Sequence, residues 1–468
     1  MSLFNSDLGS EKVRDILKKE NLKIFFIGVL GAGMLPLAEL MAERGACVFG
    51  NDRKGCGQKP QYISSFCPLS DALGIDLAVY SLAISEDDKD VALARERGIP
   101  LVSRAELLGA VMSGYPIRIG VSGSHGKSTT VAMLDTVLRG AGMHGVTLSG
   151  ADLTSGGALK ADGGDFFVYE ACEYKNSFLK TYPSSVIITN IELDHTDFFS
   201  SIEDISRSFL KFADSADGFV VISERGAAAL PIISKLGKKV YTAGGDEFSD
   251  FRYEKVDLSD TGGSFDLYFL DRYIGSFGIS ALGEHNVRNA VAALAVAYLN
   301  GVDIRSASNK LAEFRGIGRR QELLGYINDR AVYYDYAHHP TEIECTHQAL
   351  RAKEKSLVCI FKPHTYSRTA SLFNEFRDAL SLFDNSVILD IYPAREDPIP
   401  GVDAAALARA VGDRCVYRTS EECVNYCLQN TSGAIVLMGA GEVDDIRDEL
   451  LALINQDNLS QVSKKEDV

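Results

Sequence analysis

The run GVSGSHGKSTT, residues 120–130, lies between a β-like segment, IRIGVS, and a helical one, VAMLDTVLRG, and it constrains the fold more than any other stretch of the chain. Glycines let a backbone wrap closely round an anion, and N–H groups that end on a helix N-terminus turn their positive ends towards it. Lys127 can then reach the β- and γ-phosphates of a nucleotide, and Ser128 can ligate Mg²⁺. The strict P-loop pattern puts its first glycine where this chain has Val121, and Gly120 stands one residue earlier. The loop is therefore a variant, G-x-x-G-x-x-G-K-S-T, and Gly123, Ser124, His125, Gly126, Lys127, Ser128 and Thr129 form the candidate phosphate-binding set. A glycine turn before a helix is often only structural punctuation. The Gly-Lys-Ser-Thr sequence favours phosphate binding.

The strand, glycine turn and helix alternation starts three times, which predicts an α/β chain of three domains. A first unit, residues 1–113, opens with a strand at 23–27, Gly28, Gly31 and Gly33, and a helix at 35–44; a second strand at 46–49 runs to Asn51 and Asp52. The central unit, 114–316, carries the phosphate loop, strands at 166–169 and 186–189, a β-rich stretch at 239–279 and a long helix begun near Asn286. Gly316 and Gly318 read as a linker into a third unit, 317–468, with strands at 331–334, 357–361, 387–389 and 435–438 and a polar tail from Asn455 expected to fray. The first and third units are expected to be Rossmann-like and the central one a P-loop-type ATPase domain. The length of 468 residues accommodates three such domains.

With 48 basic against 64 acidic residues the formal net charge is -16, which disfavours a nucleic-acid partner. Any phosphate must be held locally, by backbone N–H groups, a few cations or metal. No apolar run approaches the ~20 residues that span a bilayer, and the first twenty residues have no signal-peptide core, so no membrane partner and a cytoplasmic location are expected. Nine cysteines without a CxxC pair suit reduced thiols, with Cys423 and Cys427 packed on one helix face.

Further motifs follow strand ends, where residues of a parallel sheet converge on one crevice. VYEACEYKNSF contributes Glu170 and Glu173; TNIELDHTDFF contributes Asp194, His195 and Asp197. Ser128, Glu173 and His195 could together hold Mg²⁺ against the phosphates. GEHNVRNAVAA contributes His285, Asn286 and Asn289, although Asn286 could simply cap its helix. YDYAHHPTEI contributes Asp335, Tyr336, His338 and His339, and FKPHTYSRT contributes His364 and Arg368. With His125 of the glycine loop, six of the eight histidines fall in these motifs, a clustering that scattered surface histidines would not produce.

In this order and spacing the motifs resemble those of the Mur ligase family, the ATP-dependent amide-forming enzymes of peptidoglycan synthesis. The resemblance runs from GVLGAGM at 28–34 to GAGEV at 439–443, and YDYAHHPTEI and IYPAREDPIPGV are its most specific parts. It is greatest to members that join L-alanine to the lactyl carboxylate of UDP-N-acetylmuramate. The resemblance implies a UDP-sugar on the first domain, with Gly31 and Gly33 near its diphosphate and Asp52 on the substrate side. It implies ATP on Lys127, Ser128 and His125, magnesium on Ser128, Glu173 and His195, and His285, Asn286 and Asn289 against the nucleotide. Arg320 and Asp335 would face the nucleotide, and Tyr336, His338, His364 and Arg368 the amino acid. Lys127, His195 and His338 would be catalytic.

The chain departs from the family pattern at Leu30, at Tyr174, Lys175 and Asn176, at Tyr334 and at Thr365. Two alternatives stand beside this reading. One is a related ligase with another amine or acceptor, such as the murein-tripeptide recycling type. The other is a non-catalytic ATP-switched binding protein, which would not require Tyr336, His338, His364 and Arg368.

Overall fold

A computed structural model describes residues 10–466 except 54, 56–59, 86, 154, 155, 197, 224, 225, 237, 238, 395 and 442. Asp197, and Arg395 and Glu442 of the carboxy-terminal motifs, lie outside the described residues.

Three sheets follow one another along the chain. The first has five parallel strands in the order third, second, first, fourth, fifth, which is one half of a doubly wound nucleotide-binding sheet. In the second sheet, of ten strands, Ile117–Ser122 is flanked in parallel by Phe166–Glu170 and Ser185–Ile188. One edge of that sheet is an antiparallel meander, Phe251–Ser259, Gly262–Phe269 and Arg272–Ile279. The third sheet has six strands, with Arg330–Asp335, Ala434–Gly439 and Leu357–Lys362 parallel side by side and one antiparallel edge strand, Glu322–Ile327.

Burial explains why these segments are strands. Leu357–Lys362 (LVCIFK) and Ala434–Gly439 (AIVLMG) are buried at every position, as strands covered by helices on both faces must be. Gly120, read above as the start of the loop, lies inside Ile117–Ser122; a Cβ there would stand 2.8 Å from the Tyr169 hydroxyl, so packing accounts for this glycine. The helix Glu284–Leu299 (EHNVRNAVAALAVAYL) is buried almost all round, and its alanines let it pack closely on the phosphate-loop helix Lys127–Gly140.

Two sequence expectations are corrected. The helix expected near Asn286 starts at Glu284, because Gly283 takes φ +89° and ends the preceding loop; Asn286 is therefore no N-cap and donates to Leu282 O at 2.7 Å. The tail expected to fray is helical over Asp444–Glu466. Ile446, Leu450 and Ile454 recur every four residues on a buried stripe, and Asp457 accepts the Asn328 N–H at 3.1 Å, so the helix is anchored as far as Asp457. Cys423 and Cys427 are buried on one helix, with free thiols. No helix among the described residues is long and apolar enough to cross a membrane.

Candidate active site

The phosphate loop leaves Ser122 at the end of its strand and turns at Gly123, φ +134°, where a Cβ would meet Thr189 Oγ1 at 2.0 Å. The neighbouring strand end fixes the loop: Asn190 Oδ1 accepts the His125 N–H at 2.8 Å, Ser124 Oγ donates to Glu192 O at 3.0 Å, and the Glu192 N–H returns to Ser124 Oγ at 2.9 Å. Gly126 takes φ +80° as it enters the helix, where a Cβ would meet Asn289 Oδ1 at 2.7 Å.

Lys127 folds over this loop. Its ammonium donates to the carbonyls of Gly123 and Ser124 and to Glu173 Oε1 at 3.1 Å. Burial works against that charge, but Glu173, with Cys172 and Glu170 behind it, raises the Lys127 pKa overall. Glu173 is fully buried; despite burial, Lys127 and His195 hold its carboxyl below the usual range. His195 Nε2 lies 3.6 Å from Glu173 Oε1, on a residue with φ +51°. Glu173 Oε2 is buried without a hydrogen-bond partner, an acceptor that a cation would satisfy. The oxygen-rich donor set of Ser128 and Glu173, with His195, fits a hard divalent ion.

The third sheet supplies the opposite wall. Asp335 ends a strand and is tied down there, accepting from Gln321 N at 3.1 Å, Thr346 Oγ1 at 2.8 Å and Ala337 N at 2.9 Å; burial raises its pKa. His338 has Nδ1 at 2.9 Å from Tyr336 O and 3.4 Å from Glu342 Oε2. Two acceptors on that side place the ring proton on Nδ1 and leave the Nε2 lone pair free. Burial pushes the imidazole down to about 3, so it is neutral at pH 7. Arg368 donates from Nη2 to Asp194 Oδ1 at 2.6 Å and from Nε at 3.0 Å, with Nη1 2.9 Å from His364 Nδ1. Asp194 is thereby kept well below its usual range against the cost of burial. This buried pair joins the second and third lobes.

His125 lies 3.3 Å from Glu342 and 3.6 Å from Glu192. With His339 and Glu192 it forms a trio whose nitrogen and oxygen atoms lie within 4.8 Å of one another. The cation of that trio is the imidazolium itself: burial would depress it, but Glu342 and Glu192 push it up to about 9. Since the folded value lies above the ordinary 6.5, the charged cluster stabilises fully below about pH 6.5, and the contribution is lost as pH rises through about 9. The thermal midpoint of the wild-type protein should fall across pH 7 to about 9.5 more steeply than that of His125→Asn; parallel curves would contradict the assignment.

Two joined cavities run through this region. A pocket of about 220 Å³ is lined by His285, Asn286, Asn289, Thr129, Arg320 and Asp335. The larger cleft, about 770 Å³, is lined by Ser124, Lys127, His195, Tyr336, His338, His364 and Arg368. His125, Gly126, Ser128, Arg320 and Glu342 face both. Gly123 and Glu173 lie just behind the lining. Among the described residues of the first lobe, Ala32 alone reaches the cleft. Gly31 and Gly33 flank Ala32, and Asp52 accepts the Leu30 N–H at 3.1 Å, which holds that turn. Sequence reasoning passed over Glu192 and Glu342. Both stand inside the motifs TNIELDH and AHHPTEI, where no spacing in the sequence singles them out.

A phosphate loop facing a wall of histidine, arginine and carboxylate across a shared cleft is the architecture of a three-lobed nucleotide-binding α/β enzyme. Family models agree: the Mur ligase family, catalytic domain, matches residues 23–116, the Mur ligase middle domain 121–297, and the Mur ligase, glutamate ligase domain, 319–441. The UDP-N-acetylmuramate–L-alanine ligase of Caldanaerobacter subterraneus subsp. tengcongensis is 36% identical over 446 residues, 92% of this chain and 97% of that one. The enzyme of the same name from Alkaliphilus metalliredigens is 37% identical, again covering 92% and 97%. Among solved structures, the UDP-N-acetylmuramate-alanine ligase MurC of Thermotoga maritima shares the fold with a TM-score of 0.76 at 23% identity, covering 92% of this chain and 98% of that one. A murein peptide ligase of Psychrobacter arcticus gives 0.68 at 22% identity, covering 92% and 98%. The chain belongs to the Mur ligase family.

Proposed function

We propose that the protein is an ATP-dependent carbon–nitrogen ligase that joins L-alanine to the lactyl carboxylate of UDP-N-acetylmuramate in peptidoglycan precursor synthesis. The observation that carries this reading is the single cleft in which Lys127 and His195 face Tyr336, His338, His364 and Arg368. The curated relatives bear this activity in their names and match the chain almost end to end.

A carboxylate is a poor electrophile, so its oxygen first attacks the γ-phosphorus of ATP; the bond to the β–γ bridging oxygen breaks and ADP leaves. The alanine amine then attacks the acyl phosphate carbon, the amide forms, and inorganic phosphate departs. Lys127, already poised over the loop, neutralises charge on the transferring phosphoryl group. Ser128, Glu173 and His195 would hold Mg²⁺, which when bound supplies further neutralisation of phosphate charge. His338, neutral with a free Nε2, accepts the proton that the attacking amine releases. Arg368 supplies the guanidinium for the alanine carboxylate, with Asp194 holding it in place. In the first lobe, Gly31, Gly33 and Asp52 form the turn that would receive the UDP-sugar diphosphate, while Asn286 and Asn289 line the nucleotide pocket.

The test is phosphate release by the purified protein with ATP, Mg²⁺, UDP-N-acetylmuramate and a panel of amino acids. Alanine should give the highest kcat/KM. Turnover with a tripeptide and not with alanine would replace this reading with the recycling type, and ATP binding without turnover would leave the switch.

A further inference from the structure

Glu342 stands in the first turn of the helix Pro340–Arg351 and is only 8% exposed. Its Oε1 accepts from Arg320 Nη1 at 3.1 Å and lies 3.3 Å from His125 Nδ1; its Oε2 accepts the His338 N–H at 3.0 Å and lies 3.4 Å from that residue's Nδ1. A carboxylate at this helix position ordinarily bonds back to the N-cap residue of its own helix. Here His339, the N-cap, accepts the Thr341 N–H with its own ring, and Glu342 reaches past it to His338. His125 belongs to the phosphate loop of the second lobe, Arg320 to the connection between lobes, and His338 to the third. Glu342 lines both cavities, so all three groups meet on its carboxylate at the wall between them.

We propose that Glu342 is a positioning residue that couples the nucleotide pocket to the amine pocket, one carboxylate oxygen holding Arg320 and His125 on the ATP side and the other holding His338 on the amine side. The proposal rests on the assignment of ATP and the amino acid to these two cavities. Burial opposes the carboxylate charge, but the Arg320 guanidinium and the His125 imidazolium hold Glu342 well below its usual range, so it is a fixed anion. Removing that charge frees the guanidinium and the imidazole together, and both substrates lose their pre-set partners.

The experiment is the full-length enzyme with Glu342→Gln, assayed for the KM of each substrate and for ATP binding by calorimetry. The expected result is a rise of about tenfold or more in KM for both ATP and L-alanine, a matching loss of ATP affinity, and a KM for UDP-N-acetylmuramate within about twofold of wild type. A carboxylate that only stabilises the fold would instead lower the thermal midpoint with the KM values unchanged, or raise all three together. Either pattern, or movement of one KM alone, overturns the proposal. If the wild-type protein released no phosphate with any amine, the functional reading would fail; Glu342 would then be judged on ATP calorimetry, where an unchanged affinity overturns the proposal and a tenfold loss sustains it. Should the Gln variant not fold, Glu342→Asp, one methylene short of its partners, is expected to raise the same two KM values severalfold, and unchanged values would overturn the proposal.

Discussion

Lys127→Ala is expected to reduce ATP-driven phosphate release by about 10³-fold or more, the scale on which removal of a cation from a phosphoryl-transfer site acts. The ammonium stands on the carbonyls of Gly123 and Ser124 and on Glu173, folded over the glycine loop. The nearest guanidinium groups are held elsewhere on the opposite wall, Arg320 on Glu342 at 3.1 Å and Arg368 on Asp194 at 2.6 Å. Folding should survive, because Glu173 keeps His195 beside it and the loop's own hydrogen bonds to Asn190 and Glu192 do not involve Lys127. The measurement is steady-state phosphate release with a thermal melt as control. Near-normal turnover by a folded Lys127→Ala enzyme would remove the phosphate assignment altogether.

Glu173→Gln should lower kcat by about 10²-fold and move the Mg²⁺ concentration for half-maximal activity upward by at least about tenfold. The amide keeps the shape but loses the charge, so the buried Oε2 acceptor no longer attracts a cation and Lys127 loses its counter-ion. The two effects separate by titration. High Mg²⁺ should restore part of the rate if metal affinity is what was lost; a Mg²⁺ optimum identical to wild type would assign Glu173 to the support of Lys127 alone.

Much of this site was legible because its residues are punctuation in the chain. Gly126 and Lys127 sit where a strand gives way to a helix, and Glu173, His195, Asp335 and His364 each follow a strand end, so a parallel α/β reading brings their side of each sheet to one crevice. Elements were legible from their runs as well, since LVCIFK is too short for a typical helix and is bounded by polar residues, the pattern of a buried strand. The tail was misread because polarity says which residues face water and not whether a helix continues beneath them. Glu192 and Glu342 were missed because a carboxylate next to histidines has no meaning in one dimension; their partner, His125, comes from a loop far away in sequence.

The sequence by itself determined that there are three α/β units, that a strand, a glycine turn with Lys127 and Ser128 and a helix open the second, and that a chain of net charge -16 offers phosphate no global positive field. Those are properties of spacing and composition, which survive in a linear string. Only the tertiary structure decided who pairs with whom. Arg368 is held by Asp194 across two lobes, 174 residues apart in sequence, and one imidazole, His125, is kept charged while another, His338, is kept neutral. The physical reason is that burial and neighbouring charge set the state of a titratable group, and both depend on which surfaces the folded lobes bring into contact.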